Sequence, residues 1–155
     1  MLKLEDDKPT INSFTGDYAF LSNFYPAVVK MGGMQFPTVE HAYQACKTND
    51  NFTWVKFSNM SASEAGKAKR LGRKVRLRND WDMIKLSSMR RLLEQKFKNY
   101  NNLRKMLLDT GDHILIEGNY WHDNYWGDCK CDKCKHIKGQ NHLGKLLMEI
   151  REKVK

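Results

Sequence analysis

The densest grouping of chemically capable side chains is C-x-C-x-x-C-x-H, formed by Cys129, Cys131, Cys134 and His136. Three thiols and an imidazole are ligand types that tetrahedral zinc accepts, and they suffice in number. Zinc ribbons and fingers separate two ligand pairs by a longer segment, so four ligands on one short stretch would have to fold tightly around the ion. Structural zinc and a reduced cysteine-rich loop therefore both stand as readings. A Cys-His nucleophile fits less well, because no third group is announced to orient the pair. The fourth thiol, Cys46, is remote, so the cysteines do not make a disulfide framework and reduced thiols are expected.

A second grouping lies at Glu40, Gln44 and Lys47, spaced i, i+4 and i+7, so a helix there presents a carboxylate, an amide and an amine on one face. A surface helix with weak pairing is the plain alternative. Its setting between Phe36 and Phe52 argues instead for a packed helix, on which a Glu near the N-terminus is held as the anion and can serve as base or stabiliser of positive charge. Further along, Asp123 to Asp128 mixes acids with Tyr125, Trp126 and a permissive Gly127, the composition of a binding loop or of a loop merely anchored by its tryptophan. Gly139, Asn141, Leu143 and Gly144 lead into the last helix, where backbone amides can bind an anion or the glycines can serve close packing.

The elements that must position these residues follow from local signals. Val28 to Phe36 with Gly32-Gly33 predicts a hairpin, and Thr38 predicts the N-cap of a helix reaching about Lys47. Phe52 to Asn59 predicts a second helix, and Ser61 with Glu64 a capping box opening a third that Gly72 should stop. Asn79 or Asp80 should cap a long helix carrying Trp81, Ile84, Met89, Leu92, Leu93 and Phe97. A short helix at Leu103 to Leu108, a half-buried strand at His113 to Glu117, a polar loop to Gln140 and a closing amphipathic helix complete the chain. This order does not repeat as βαβ units, so an α+β domain, mainly helical with a small sheet, is expected over residues 14–155 behind an arm of residues 1–13.

The 155 residues carry 27 Lys+Arg against 18 Asp+Glu, a net charge of +9, with 41% hydrophobic residues. That composition suits one globular domain and excludes extensive disorder. Without an apolar run of spanning length or a basic-then-apolar leader, a soluble, cytoplasmic protein with no membrane partner is expected. Charge is focused once, in Lys67 to Arg78, where seven basic residues occur with no acid. Such focusing favours an anionic ligand, phosphate or nucleic acid, with a solvated helix face as the alternative.

Taken together, FLSNFYP from Phe20, PTVEHAYQACK from Pro37, RNDWDMIK from Arg78, KF at Lys96, LLDTGD with LIE, NYWGD from Asn124 and GQNHLGKLLMEIR from Gly139 resemble the NADAR, or YbiA-like, family in order and spacing. The resemblance implies a YbiA-like fold and an N-glycosidase. Members are associated with cleaving the bond between a ribose anomeric carbon and nitrogen, on ribosylamino-pyrimidine phosphates of the early riboflavin pathway or on ADP-ribosylated guanine. Such cleavage requires stabilisation of an oxocarbenium-like ribose, as in glycoside hydrolysis generally. Glu40 is then the expected stabiliser or base and Asp128 the second acid. Lys47 and Lys85 match motif lysines, and either could trap a ring-opened ribose as a Schiff base. Asn23, Phe24 and Tyr43 are expected to shape the pocket with Gly127 and Asn141, Trp81 or Trp126 to stack on the base, and Arg78 or Lys67 to bind phosphate. The CKCDKCKHIK insertion resembles one branch of the family and departs from members with a short glycine-rich loop.

No cofactor is required for this chemistry, structural zinc being the one metal weighed. The expected partner is a nucleotide-like small molecule or ADP-ribosylated DNA. A nucleic-acid or nucleotide binding module without catalysis is the rival class, motivated by the basic cluster, and an inert zinc-stabilised scaffold is a third.

Overall fold

Along residues 8–155, which the computed structural model describes, the chain runs β1 (Thr10–Ile11), a 3₁₀ turn at Gly16–Leu21, β2 (Val29–Met31), β3 (Met34–Phe36), α1 (Val39–Cys46) and α2 (Asn51–Ser58). It continues through a 3₁₀ turn at Ala62–Glu64, α3 (Ala65–Gly72), α4 (Trp81–Asn99), α5 (Asn101–Asp109), β4 (Ile114–Leu115), β5 (Gly118–Asn119), β6 (Asp128–Cys129) and α6 (His142–Lys153). This is the expected mainly helical α+β chain. The strands, however, form three separate two-stranded pieces: β1 with β4 and β5 with β6 in parallel, β2 with β3 antiparallel. No helix among the described residues is long and apolar enough to cross a membrane.

The chain divides into two compact units, Asn23–Tyr100 and the remainder up to Ser22 together with Asn101–Lys155. In Asn23–Tyr100 the hairpin turns at Gly32 and Gly33, both with positive φ (55° and 80°), and delivers the chain to Thr38. Thr38 is extended and its hydroxyl accepts the His41 amide at 3.2 Å, which starts α1 as the sequence predicts. All eight residues of α1 are buried, so the surface-helix alternative is set aside. Helices α2, α3 and α4 pack around it.

Two helix ends differ from expectation. The capping box at Ser61 and Glu64 is present and α3 ends at Gly72, one residue past the expected Leu71, but the glycine has no positive φ and so is not a left-handed stop. A Cβ there would collide with the side chain of Gln44, so the glycine serves the close approach of α3 to α1. Asp80 precedes α4 without a side-chain cap bond, because its carboxylate is turned onto Arg78.

In the other unit, Thr10–Ile11 pairs with Ile114–Leu115, burying Ile11 and Leu115. Of the arm expected at residues 1–13, residues 1–7 lie outside the described residues, while Thr10 and Ile11 are thus part of a sheet. The strand expected over His113 to Glu117 narrows to the two residues that have a partner. The following polar loop contains β5 and β6, and α6 packs on β4 and buries Leu143, Leu146, Leu147 and Ile150.

Candidate active site

Within Asn23–Tyr100, helix α1 carries Glu40 at 6% exposure and Gln44 at 3%. Gln44 Nε2 donates to Glu40 Oε1 at 2.7 Å, one turn apart on the same face. The Glu40 amide donates to the Asn23 carbonyl at 3.1 Å, which ties the segment entering the unit to the first turn of α1. Asn23 is itself buried; its Nδ2 points to Met89 Sδ at 3.6 Å, and its Oδ1 has no hydrogen-bond partner.

Lys47 follows α1 as its C-cap, half-buried, its ammonium 5.6 Å from the centre of the Tyr43 ring. Burial pushes its amine below the ordinary lysine range; Glu40 pulls it back up, while Arg73, Lys69 and Lys85 push it further down. One buried carboxylate and three cations therefore act on a single amine. Lys85 also pairs with Asp82 at 3.5 Å. Tyr43 packs on Trp81, ring centres 5.3 Å apart, and Trp81 is 6% exposed, which makes it a wall of the core. Phe24 is 40% exposed with the Lys69 ammonium 5.9 Å from its ring, and offers an open aromatic face.

The basic stretch divides by partner. Arg78 grips Asp80 with two hydrogen bonds and Lys67 pairs with Glu64 at 3.4 Å, so the two residues expected to bind phosphate are engaged by carboxylates. Lys69 and Arg73, one helical turn apart, are the members of the stretch whose charges reach Lys47. Sequence reasoning saw the cluster but not which of its charges bear on Lys47; the i, i+4 spacing of Lys69 and Arg73 beside Gly72 was the available signal. It named Lys96 only within the KF motif and did not foresee its full burial in α4, with the ammonium 5.6 Å from the Tyr25 ring and 5.1 Å from the Phe97 ring.

In the other unit the loop residues serve the backbone. Asp128 Oδ1 accepts the Gly139 amide at 2.8 Å, and Asp123 Oδ1 accepts the amides of Tyr125 and Trp126 at 3.1 and 2.9 Å. Asn141, left-handed at φ 52°, receives the Glu117 amide on Oδ1 and donates to the Leu115 carbonyl, 3.0 and 2.9 Å. Gly127 and Gly144 stand where a Cβ would strike the carbonyls of Glu117 and Leu115. Trp126 is half-buried against Tyr125, ring centres 4.8 Å apart.

The thiol cluster assembles, with one ligand changed. His122, Cys129, Cys131 and Cys134 bring their ligand atoms within 4.8 Å of one another, a group able to hold a metal ion. His136 is not among them and is exposed. The fourth group comes from the turn before the thiols, so the tight wrap that a single stretch would need is avoided.

A family model described as NADAR domain matches residues 12–155. The chain belongs to the NADAR family. Among its relatives, an N-glycosidase of Nostoc punctiforme is 37% identical, over 89% of this chain and 86% of that protein. The N-glycosidase YbiA of Escherichia coli is 34% identical over 97% of this chain and 91% of its own length. A riboflavin biosynthesis protein of Vibrio vulnificus is 36% identical over 89% of this chain, which matches 36% of that longer protein. The NMR structure of Escherichia coli YbiA superposes with a TM-score of 0.79 at 37% identity, covering 95% of this chain and 85% of that one. This NADAR chain thus has the YbiA fold and belongs with hydrolases of N-glycosyl bonds.

Proposed function

We propose that the chain hydrolyses the C1′–N bond of a ribose attached to a base, in a nucleotide-like substrate that carries phosphate. The observation that carries this reading is buried Glu40, fixed by Gln44, whose charge acts on the half-buried amine of Lys47. A carboxylate held in place offers fixed negative charge to the oxocarbenium-like carbon that develops as the bond breaks. Lys69, Arg73 and Lys85 supply the positive surroundings a phosphate group needs. Phe24 is an exposed aromatic face available for a base, and the buried Asn23 Oδ1 can accept from a sugar hydroxyl.

Lys47 is the candidate for a covalent route. Once the sugar ring has opened, leaving C1′ double-bonded to the base nitrogen, the neutral Lys47 amine adds to C1′. A proton passes from the lysine nitrogen to the base nitrogen. The base leaves with the C1′–N pair, and a protonated Schiff base to Lys47 remains. Water then adds at C1′ and regenerates the free amine and an aldehyde sugar. Burial suits Lys47 to this step by enlarging its neutral fraction, whereas Lys85 has Asp82 beside it and is assigned to charge placement. Asp128, turned onto Gly139, is assigned to positioning the loop that carries Trp126. No step passes through the His122 and cysteine cluster.

The two substrates to be offered are a ribosylamino-pyrimidine phosphate, in keeping with the riboflavin name of one relative, and DNA carrying ADP-ribosyl-guanine, in keeping with the +9 charge. Chromatography should detect released base and sugar product from one of them with the parent protein and not with Glu40→Gln. Salt-sensitive binding to nucleic acid with no product from either substrate would instead support the binding-module reading.

A further inference from the structure

The turn that precedes the cysteines is built to present His122. Asn119, 1% exposed, accepts the amides of Trp121 and Asp123 on its Oδ1, both at 3.2 Å, and donates through Nδ2 to the Asp123 carbonyl at 2.8 Å. This stapled turn holds His122 at φ 67°, a left-handed conformation that a non-glycine residue adopts only when its surroundings impose it. The result is an imidazole whose Nδ1 lies 3.3 Å from Cys131 Sγ and 3.4 Å from Cys134 Sγ.

Two strands bring the thiols to it. Asn119 on β5 is paired with Cys129 on β6, and the Lys130 amide donates to the Asn119 carbonyl at 2.7 Å. After Cys131 the chain closes a tight turn, in which the amides of Cys134 and Lys135 donate to the Cys131 carbonyl at 3.0 and 2.9 Å. The backbone amide of His122 points at Cys129 Sγ at 3.3 Å, the type of outer-shell bond that supports a metal-bound thiolate. All three thiols are free.

We propose that His122, Cys129, Cys131 and Cys134 form a structural tetrahedral zinc site, and that the ion closes the loop from Asn119 to Gly139. Zinc–sulfur bonds of about 2.3 Å place tetrahedral ligand atoms roughly 3.8 Å apart along an edge. The cluster, with no separation above 4.8 Å and its two His-to-sulfur distances at 3.3 and 3.4 Å, reaches that geometry by small side-chain rotations. Binding displaces the proton of each thiol, and three thiolates on a divalent ion leave a single net negative charge. Lys130, Lys133 and Lys135 adjoin the ligands in sequence. With four protein ligands no position is open for water, so the ion is structural. This site is independent of the hydrolytic reading, and its test reads metal and not activity.

The full chain, purified with a reductant, should contain one zinc per molecule by elemental analysis. After chelation, cobalt(II) should restore the strong ligand-field absorption of a tetrahedral thiolate site and saturate at one equivalent. Loss of an outer-shell partner weakens metal sites by about 10- to 100-fold, so His122→Ala should weaken cobalt binding by roughly a hundredfold or more, while His136→Ala leaves it unchanged. Circular dichroism of both variants controls for misfolding, and the chelation experiment on the unaltered chain needs no variant at all. Failure of the reduced chain to take up either metal overturns the proposal. So does a disulfide among the three cysteines, or cobalt binding that survives His122→Ala and is lost in His136→Ala.

Discussion

In Asn23–Tyr100 the informative polar side chains answer to one another, whereas in the unit containing Asn101–Lys155 they answer to the backbone. Glu40 is held by Gln44, and the charges of Glu40, Lys69, Arg73 and Lys85 bear on Lys47. Asn119, Asp123, Asn124, Asp128 and Asn141 instead spend their oxygens on main-chain amides and so fix the shape of turns. The first set is Glu and Gln with Lys and Arg, the second Asp and Asn alone. The difference lies in the partner: a side chain bonded to backbone defines a loop, while Glu40 and Lys47 answer to other side chains, which is why we propose them for a ligand.

The strongest test of that contrast is Glu40→Gln, which keeps shape and removes charge. Turnover should fall by about a thousandfold, in the range of lost acid-base or electrostatic catalysis, with the melting temperature little changed. Next is Lys47→Met, which should abolish borohydride trapping of a sugar fragment and lower turnover by roughly a hundredfold. The parent rate should rise with pH, because the amine must be neutral to add, and the midpoint should fall below the ordinary lysine value of about 10.4 because burial depresses it. Arg73→Ala should raise KM for the phosphate-bearing substrate by about tenfold, the scale of one charged contact, and move that midpoint upward, since a like charge has been removed. The smallest effect on turnover is expected from Asp128→Asn: a few-fold in rate, with stability reduced by about 1 kcal/mol for the weakened bond to the Gly139 amide. Turnover lost as completely as in Glu40→Gln, at an unchanged melting temperature, would break the contrast and make Asp128 catalytic.

Helices and the hairpin were legible because their signals are local: Thr38, the Ser61 and Glu64 pair and the Gly32-Gly33 turn each act within a few residues. Glu40, Gln44 and Lys47 were legible for the same reason, as helical spacing alone places them on one face. What sequence reading missed depends on distant partners. His122 displaces His136 because Asn119 and the β5–β6 pairing, not proximity along the chain, decide which imidazole meets the thiols. Gly72 does end α3, but without a positive φ, and the need for a glycine there comes from Gln44 on another helix. Arg78 and Lys67 are the exception, because Asp80 and Glu64, which engage them, lie only two and three residues away and residue type alone does not show that pairing.

The buried Lys96 makes folding of Asn23–Tyr100 a proton-releasing event. Burial lowers its pKa to about 7, while an unfolded lysine titrates near 10.4. Between those values an unfolding chain binds a proton that the folded chain does not hold, so the Lys96 contribution to stability improves as pH climbs from about 7 towards 10. Below about 7 both states carry the charge, and the cost of keeping an ammonium away from water is then fully present. Lowering the pH from about 10 to about 7 therefore removes what Lys96 adds to stability, and further acidification changes nothing at this residue.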